Sequence, residues 1–219
     1  MIKNIIFDFD GVIVDSEVLV SKAFAKYFIK FDYTIKEEQF YKYAGKKTVE
    51  VIDILSHKYS IENKQRFSSE IFDLVSEVYS KDLKLVHGAK DYISKSNRNH
   101  FIGSNSNKDR ILDGLKFVGL DKIFLSDRVY SFDMVEKPKP DPDIYLKVLN
   151  DNSLNIEETI IIEDSGVGVK AGVSAGARVF GLTAGKHWHT NRDKNELFDN
   201  GAFNVFSDYE SLSRAIEEL

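Results

Sequence analysis

The chain has 219 residues, enough for one large domain or a core domain carrying a smaller insert, and its 42% hydrophobic content supports a buried core. Its 30 basic and 35 acidic residues are mixed along the chain, and a net charge of −5 excludes the basic footprint of a nucleic-acid binder. Without cysteine there is no disulfide, thiolate metal site or cysteine nucleophile, so a bound metal takes oxygen or histidine ligands. The N-terminus leads into only Ile5-Ile6-Phe7 before an acid, and no apolar run reaches membrane-spanning length. The expectation is a cytoplasmic protein with no membrane partner, a monomer or a small homo-oligomer.

Taken in chain order, the first element is a short strand over roughly 3–8, ending in Asp8-Phe9-Asp10-Gly11. A strand alternates faces every two residues, so Asp8 and Asp10 are expected to share one pocket while Phe7 and Phe9 face a core. Like charges crowded together need a cation or a proton, which points to chemistry more than to packing. Residues 16–30 carry apolar groups at helical spacing, and the pattern stays helical to about 80, through Val49, Ile52 and Leu55 and then Ile71, Phe72, Val75 and Val78. Past Gly88 strands and helices alternate: helix 89–96, strand 100–104, helix 107–117, strand 123–126, helix 141–150, strand 159–163, helix 166–175, strand 177–182, strand 203–206 and helix 209–218. Such alternation predicts right-handed crossovers in a parallel sheet. The fold class expected is therefore α/β: a three-layer, Rossmann-like core over 1–15 and 83–219, with an all-helical insert over 16–82.

In open α/β sheets ligands bind beyond the carboxyl ends of the strands, which selects four places. The first is Asp8 with Asp10. The second is Ser104-Asn105-Ser106, whose hydroxyl and amide groups precede a helix and can hold an anion. The third is Glu136-Lys137-Pro138-Lys139-Pro140-Asp141-Pro142, where prolines stiffen the backbone that aims a lysine. Lys137, directly before the first proline, is the lysine expected to face a phosphate, with Lys139 in the solvated loop. The fourth is the acid pair Glu163-Asp164 after Ile160-Ile161-Ile162. Several acids beside one lysine make an oxygen-ligand site suited to Mg²⁺.

With these four segments in order, the chain resembles the haloacid dehalogenase-like superfamily on its phosphatase and phosphomutase branch. Asp8-Phe9-Asp10-Gly11-Val12 is similar to the family's first motif, Ser104 to its second, Lys137 in Lys-Pro-x-Pro-Asp to its third and Glu163-Asp164-Ser165 to its fourth. The resemblance implies Asp8 as nucleophile and metal ligand, and Asp10 as general acid and base whose carbonyl also binds metal. It implies Asp164, and less centrally Glu163, as further metal ligands. Ser104, the Asn105 backbone and Lys137 would hold the phosphoryl group, and Mg²⁺ is the implied cofactor. The 94 residues from Asp10 to Ser104, against 33 from Ser104 to Lys137, place the large insert after the first motif. There the family carries a helical cap that selects substrate, and Tyr43-Ala44-Gly45-Lys46-Lys47-Thr48 resembles its inward-reaching loop, with Lys46 and Lys47 as candidate contacts to an anionic substrate.

The implied activity is Mg²⁺-dependent hydrolysis of a small phosphorylated metabolite, a sugar phosphate of the 6-phosphogluconate kind, through an aspartyl phosphate. A β-phosphoglucomutase-type reading is the alternative, and the chain departs from that pattern with Val20 where the mutase has a histidine and Lys46-Lys47 near its cap arginine. From another class, a non-catalytic phospho-ligand-binding or regulatory module is the remaining alternative. His187-Trp188-His189, alternate residues in a loop after a strand, read as surface or packing groups without an assigned role.

Overall fold

The computed structural model describes residues 1–31, 33–43, 48–188 and 192–219. The chain divides into two compact units, Met1–Asp15 with Lys84–Leu219, and Ser16–Leu83.

The larger unit is built on a six-stranded, all-parallel sheet. In chain order its strands are β1 (Asn4–Phe7), β2 (Asn99–Ser104), β3 (Val129–Ser131), β4 (Thr159–Glu163), β5 (Arg178–Leu182) and β6 (Asn204–Phe206), and in space they lie β3-β2-β1-β4-β5-β6. Central β1 pairs with both neighbours, Phe7 opposite Ile102 on one side and Ile162 on the other. Ile5, Ile6 and Phe7 are wholly buried because helices cover both faces, as continuous apolar strand sequences require. On one face Ile6, Phe101, Ile161 and Val179 meet Ile144, Tyr145 and Val148 of α6 (Asp143–Asp151) and Val169 and Ala171 of α7 (Gly166–Ser174). On the other, Phe7 meets Tyr92 of α4 (Ala89–Lys95), which in turn packs on Tyr209 of α9 (Tyr209–Glu217). The strand order reverses direction at β1, so the switch point that opens a ligand crevice in such sheets falls between β1 and β4, whose carboxyl ends carry Asp8 and Glu163.

The smaller unit is helical: α1 (Glu17–Ile29), a 3₁₀ turn over Glu37–Tyr43, α2 (Thr48–Lys58) and α3 (Lys64–Asp82). Phe67, Ile71, Leu74 and Val78 form one buried stripe of α3 at helical spacing, and Phe24 and Phe28 of α1 pack with Phe40 and Phe67 in an aromatic core. The Asn63 side chain caps α3 by accepting from Arg66 N.

Two expectations differ from the structure, and one element was not foreseen. The strand expected at 123–126 is a turn, closed by the amides of Ile123 and Phe124 on the Leu120 carbonyl, and the strand falls instead at Val129–Ser131. Phe124 supplied the apolar signal because it is buried, against Phe7 and His100, without being in the sheet. The first strand ends at Phe7, before the two aspartates, so Phe9 is buried by a turn in which the amides of Ile13 and Val14 both donate to its carbonyl. A short helix over Asn195–Asp199, α8, carries no five-residue signature distinguishable from a loop.

His100 is an ionisable group that this core holds neutral. It is 4% exposed, sits edge-on to Phe7 and touches Ser96 Oγ through Nε2 at 3.1 Å; burial, with Arg128 and Arg98 nearby, lowers its pKa from 6.5 to about 4. The unfolded chain therefore takes up a proton below pH 6.5 that the native state refuses until about pH 4, and stability is lost across that window as pH falls. Urea unfolding of the wild type and of His100→Gln should show the difference between them moving by about 3 kcal/mol against the wild type from pH 7 to pH 4. A pH-independent difference would show that the imidazole is not held neutral.

Candidate active site

The site gathers at the carboxyl ends of β1, β2 and β4. Asp8 follows β1, its amide donating to the Ile162 carbonyl at 2.9 Å, and its side chain is nearly closed to water. The next turn depends on Gly11, whose φ of +82° suits a residue without Cβ, and any Cβ there would overlap the Asp164 carboxylate. Glycine at this position thus lets the first acidic loop and the loop after β4 approach each other.

A buried lysine joins the acids, and it is Lys139. Its Nζ lies 2.7 Å from Asp8 Oδ1 and 2.6 Å from Glu163 Oε1, with the Tyr145 ring 4.7 Å away. Lys137, expected to fill this place, is exposed and outside the cluster. The pattern Lys-Pro-x-Pro-Asp occurs twice in overlapping registers, at 137–141 and at 139–143, and only the second runs directly into Ile144-Tyr145, the buried residues that open α6 and seat it on the sheet. Asn105 holds the Lys139 backbone from both sides, its Nδ2 donating to the Lys139 carbonyl at 3.1 Å and its Oδ1 accepting from the Lys139 amide at 3.0 Å. The Asn105 side chain is therefore a brace for the lysine loop. Ser104, at the end of β2, is buried, and its Oγ accepts from the Ser106 amide at 3.0 Å.

Glu163 and Asp164, adjacent in sequence, have separate surroundings. Both Glu163 oxygens are engaged: Oε1 by Lys139 and the Tyr145 hydroxyl at 2.7 Å, Oε2 by the amides of Asp164 and Ser165 and by Ser165 Oγ. Burial pushes the Tyr145 hydroxyl well up, which keeps it a donor to Glu163. Asp164 instead meets His187, whose Nε2 lies 2.8 Å from Asp164 Oδ2, while Trp188 Nε1 donates to the Asp164 carbonyl at 3.2 Å. Asp10 stands apart from the lysine, accepting from Ser106 Oγ at 2.5 Å and from Nη2 of Arg110, on α5 (Lys108–Val118), at 3.0 Å.

Of the residues expected from sequence, the structure thus brings Asp8, Glu163 and Asp164 together, sets Asp10 and Ser104 beside them through the loop after β2, and leaves Lys137 out. Lys46 and Lys47 lie outside the described residues, as does His189. Lys139, Tyr145, Arg110 and His187 belong to the constellation without having been singled out for it. For Lys139 the signal was present in the overlapping motif; for His187 no spacing rule separates a buried loop histidine from a surface one.

One carboxylate oxygen from each of Asp8, Glu163 and Asp164 lies within 4.8 Å of the others, the grouping among the described residues suited to a metal ion. Burial pushes the Asp8 carboxyl well above the usual carboxylate range; Lys139 pulls it back, while Glu163, Asp164 and Asp10 push it further up. Burial alone would lower the Lys139 ammonium, but Asp8 and Glu163 hold it above its usual value. The two shifts have one origin: three buried carboxylates face one buried ammonium among the described residues, so the cluster carries surplus negative charge in a medium that screens it poorly. An all-oxygen donor set with that surplus fits a hard divalent cation such as Mg²⁺.

Comparison with known proteins agrees with this geometry. The chain belongs to the haloacid dehalogenase-like hydrolases, matching the family over residues 5–182. It is 28% identical over 188 residues to 6-phosphogluconate phosphatase of Escherichia coli (strain K12), covering 85% of both chains. It is 29% identical over 222 residues to a phosphorylated carbohydrates phosphatase of Thermotoga maritima, covering 99% of this chain and all of that one. A haloacid dehalogenase-like protein of unknown function from Agrobacterium tumefaciens str. C58 is similar in structure, with a TM-score of 0.87, 28% identity, and coverage of 100% of this chain and 99% of that one.

Removing the ammonium separates the two lysines. Lys139→Met leaves Asp8 and Glu163 buried without their common cation and should cost roughly 3–5 kcal/mol of unfolding free energy at pH 7, whereas Lys137→Met at an exposed position should stay within about 0.5 kcal/mol. Denaturant melts of the two variants read this directly; equal losses would remove Lys139 from its place in the cluster.

Proposed function

We propose that the protein is a Mg²⁺-dependent phosphatase that hydrolyses the phosphate monoester of a small metabolite, a sugar phosphate of the 6-phosphogluconate kind, through an aspartyl phosphate on Asp8. The observation that carries this reading is the buried Lys139 ammonium spanning Asp8 and Glu163 beside the Asp164 carboxylate. Such a site is arranged to let a carboxylate approach a phosphate dianion, two groups that otherwise repel. The family assignment and the carbohydrate-phosphate activities of the named relatives support the same choice.

In this proposal Asp8, Asp164 and the Asp10 backbone carbonyl would hold Mg²⁺, which when bound would supply positive charge that offsets the repulsion of the nucleophile and the phosphate. Glu163, whose two oxygens accept hydrogen bonds from the protein, anchors Lys139 and adds its charge to the three-carboxylate group. A carboxylate oxygen of Asp8 attacks phosphorus while the ester oxygen departs, taking a proton from Asp10. Asp10, now a carboxylate, accepts a proton from the water that attacks the phosphoryl-aspartate, and Asp8 is restored as inorganic phosphate leaves. Ser104 and the Asn105 backbone N–H hold the transferring group, and Lys139 balances its charge through both half-reactions. The helical unit is, in this proposal, the substrate-selecting cap that the family carries after its first motif.

The test is phosphate release from p-nitrophenyl phosphate and from a panel of sugar phosphates and phosphosugar acids, with Mg²⁺ and with chelator. Activity should need Mg²⁺. Asp8→Asn should lower kcat/KM by about three orders of magnitude or more, Lys139→Ala by about 10²–10³, and Lys137→Ala by less than about twofold. An inert wild type in Mg²⁺ that still binds phosphorylated ligands would replace the enzyme by a binding module. Glucose 6-phosphate as main product from β-glucose 1-phosphate and a bisphosphate primer would replace hydrolysis by the mutase reaction.

A further inference from the structure

The loop after β5 is anchored to both acidic loops, although none of the chemistry above uses it. The Lys186 amide donates to Asp15 Oδ1 at 3.0 Å, tying the loop to the segment after β1. Trp188 Nε1 donates to the Asp164 carbonyl, fixing the backbone that carries this acid, and Arg192 stacks over the Trp188 ring at 4.0 Å. Between these anchors His187 is 2% exposed, with Nε2 on Asp164 Oδ2. The ring is fitted to its place: a Cβ at Gly185 would stand 2.7 Å from it and one at Gly11 2.9 Å from it. A carboxylate oxygen only accepts, so the imidazole donates from Nε2, and Asp164 is gripped at its side chain by one residue and at its carbonyl by the next.

We propose that His187 is a positioning residue for Asp164, fixing the plane of that carboxylate within the group it forms with Asp8 and Glu163, where a divalent cation would bind. The inference rests on the proposed Mg²⁺ site and adds a residue from outside the four acidic and basic segments that define it. A carboxylate swings about two side-chain bonds, and losing one of its rotamers to an outer hydrogen bond lowers the entropy that cation binding must remove. Partners of this outer kind change metal affinity by about 10–100-fold when removed. The contribution of His187 is therefore to affinity for the ion, and Trp188 acts through the same aspartate from the main chain.

The experiment is isothermal titration of metal-stripped protein with Mg²⁺, for the wild type and for His187→Leu, His187→Asn and His187→Gln. A glutamine amide nitrogen can take the place of Nε2, whereas asparagine is too short to reach Asp164 and leucine has no donor. His187→Leu and His187→Asn should bind Mg²⁺ about 10–100-fold more weakly, and His187→Gln should stay within about threefold of the wild type. The Mg²⁺ concentration for half-maximal phosphate release should rise in parallel, with kcat at saturating Mg²⁺ falling by less than about threefold. If His187→Leu does not fold, the asparagine and glutamine variants decide the matter, since both place an amide in the same polar cavity. Affinities within twofold of the wild type in every folded variant, or equal weakening with glutamine included, would overturn the positioning role and leave the Mg²⁺ site standing. A wild type that binds no Mg²⁺ would instead overturn the cation site and the positioning role with it.

Discussion

The ammonium of Lys139 stands between two carboxylates in a place closed to water, and the candidate site is built around that contact. Burying Asp8 and Glu163 without it would be prohibitive, because desolvation of an ion costs several kcal/mol even after relaxation. The protein supplies the contact by several independent means. Asn105 clamps the lysine backbone at both its amide and its carbonyl, Tyr145 offers its ring to the ammonium and its hydroxyl to Glu163, and the amides at the start of α7 hold the other Glu163 oxygen. The braces come from the loops after β2 and β4 and from α6, so the cluster is complete only when the sheet and that helix are packed together. A parallel sheet makes this possible by bringing the carboxyl ends of β1, β2 and β4 side by side.

That cluster remains short of positive charge, and the shortage is informative. A structural ion network would tend towards neutrality, pairing each buried acid with a base or leaving it out. Here Asp8 is driven well above the usual carboxylate range by burial and by three neighbouring acids, even with Lys139 in contact. Strong perturbation from burial together with named charges, at the switch point of an α/β sheet, is the signature of a functional site more than of a structural one. The adjacent acids of the fourth segment divide the work through their different partners: Glu163 secures the lysine, and Asp164 turns towards Gly11 and His187.

Much of this was legible in the sequence. The alternation of periods located β1, β2, β4 and β5 within a residue or two and separated the helical stretch from the sheet, because each of those strands carries a short apolar run bounded by polar residues. β3 escaped because a strand of three residues carries almost no pattern, and the buried Phe124 next to it mimicked one. The acids were found because strand ends are where such sheets bind ligands. The lysine was found in the right loop and the wrong register: two lysines two residues apart both precede proline, and what tells them apart is which one lets Ile144 and Tyr145 reach the sheet, a packing constraint set by residues five and six positions beyond Lys139. His187 was out of reach for a further reason. Its partner is 23 residues away in sequence, and a loop histidine shows its burial only once the loop's anchors at Asp15 and Asp164 are known.

The two aspartates of the first segment show why environment matters more than residue type. Asp8 lies in the buried cluster against a lysine, whereas the Asp10 side chain is 17% exposed and is held by Ser106 and Arg110, both from the loop and helix that follow β2. Had strand geometry continued through Asp10, both would occupy one pocket with similar neighbours, and nothing would distinguish a nucleophile from an acid. The chain instead leaves the sheet at Phe7 and turns over the Phe9 carbonyl, which places the second carboxylate at the rim of the first one's pocket. Under the proposed mechanism that offset is what the chemistry needs. The nucleophile must be shielded from water until phosphorus arrives, and the proton carrier must reach both the departing oxygen and the incoming water. A turn with Gly11 at positive φ, where any side chain would strike Asp164, is thus a means of giving two identical side chains two different tasks.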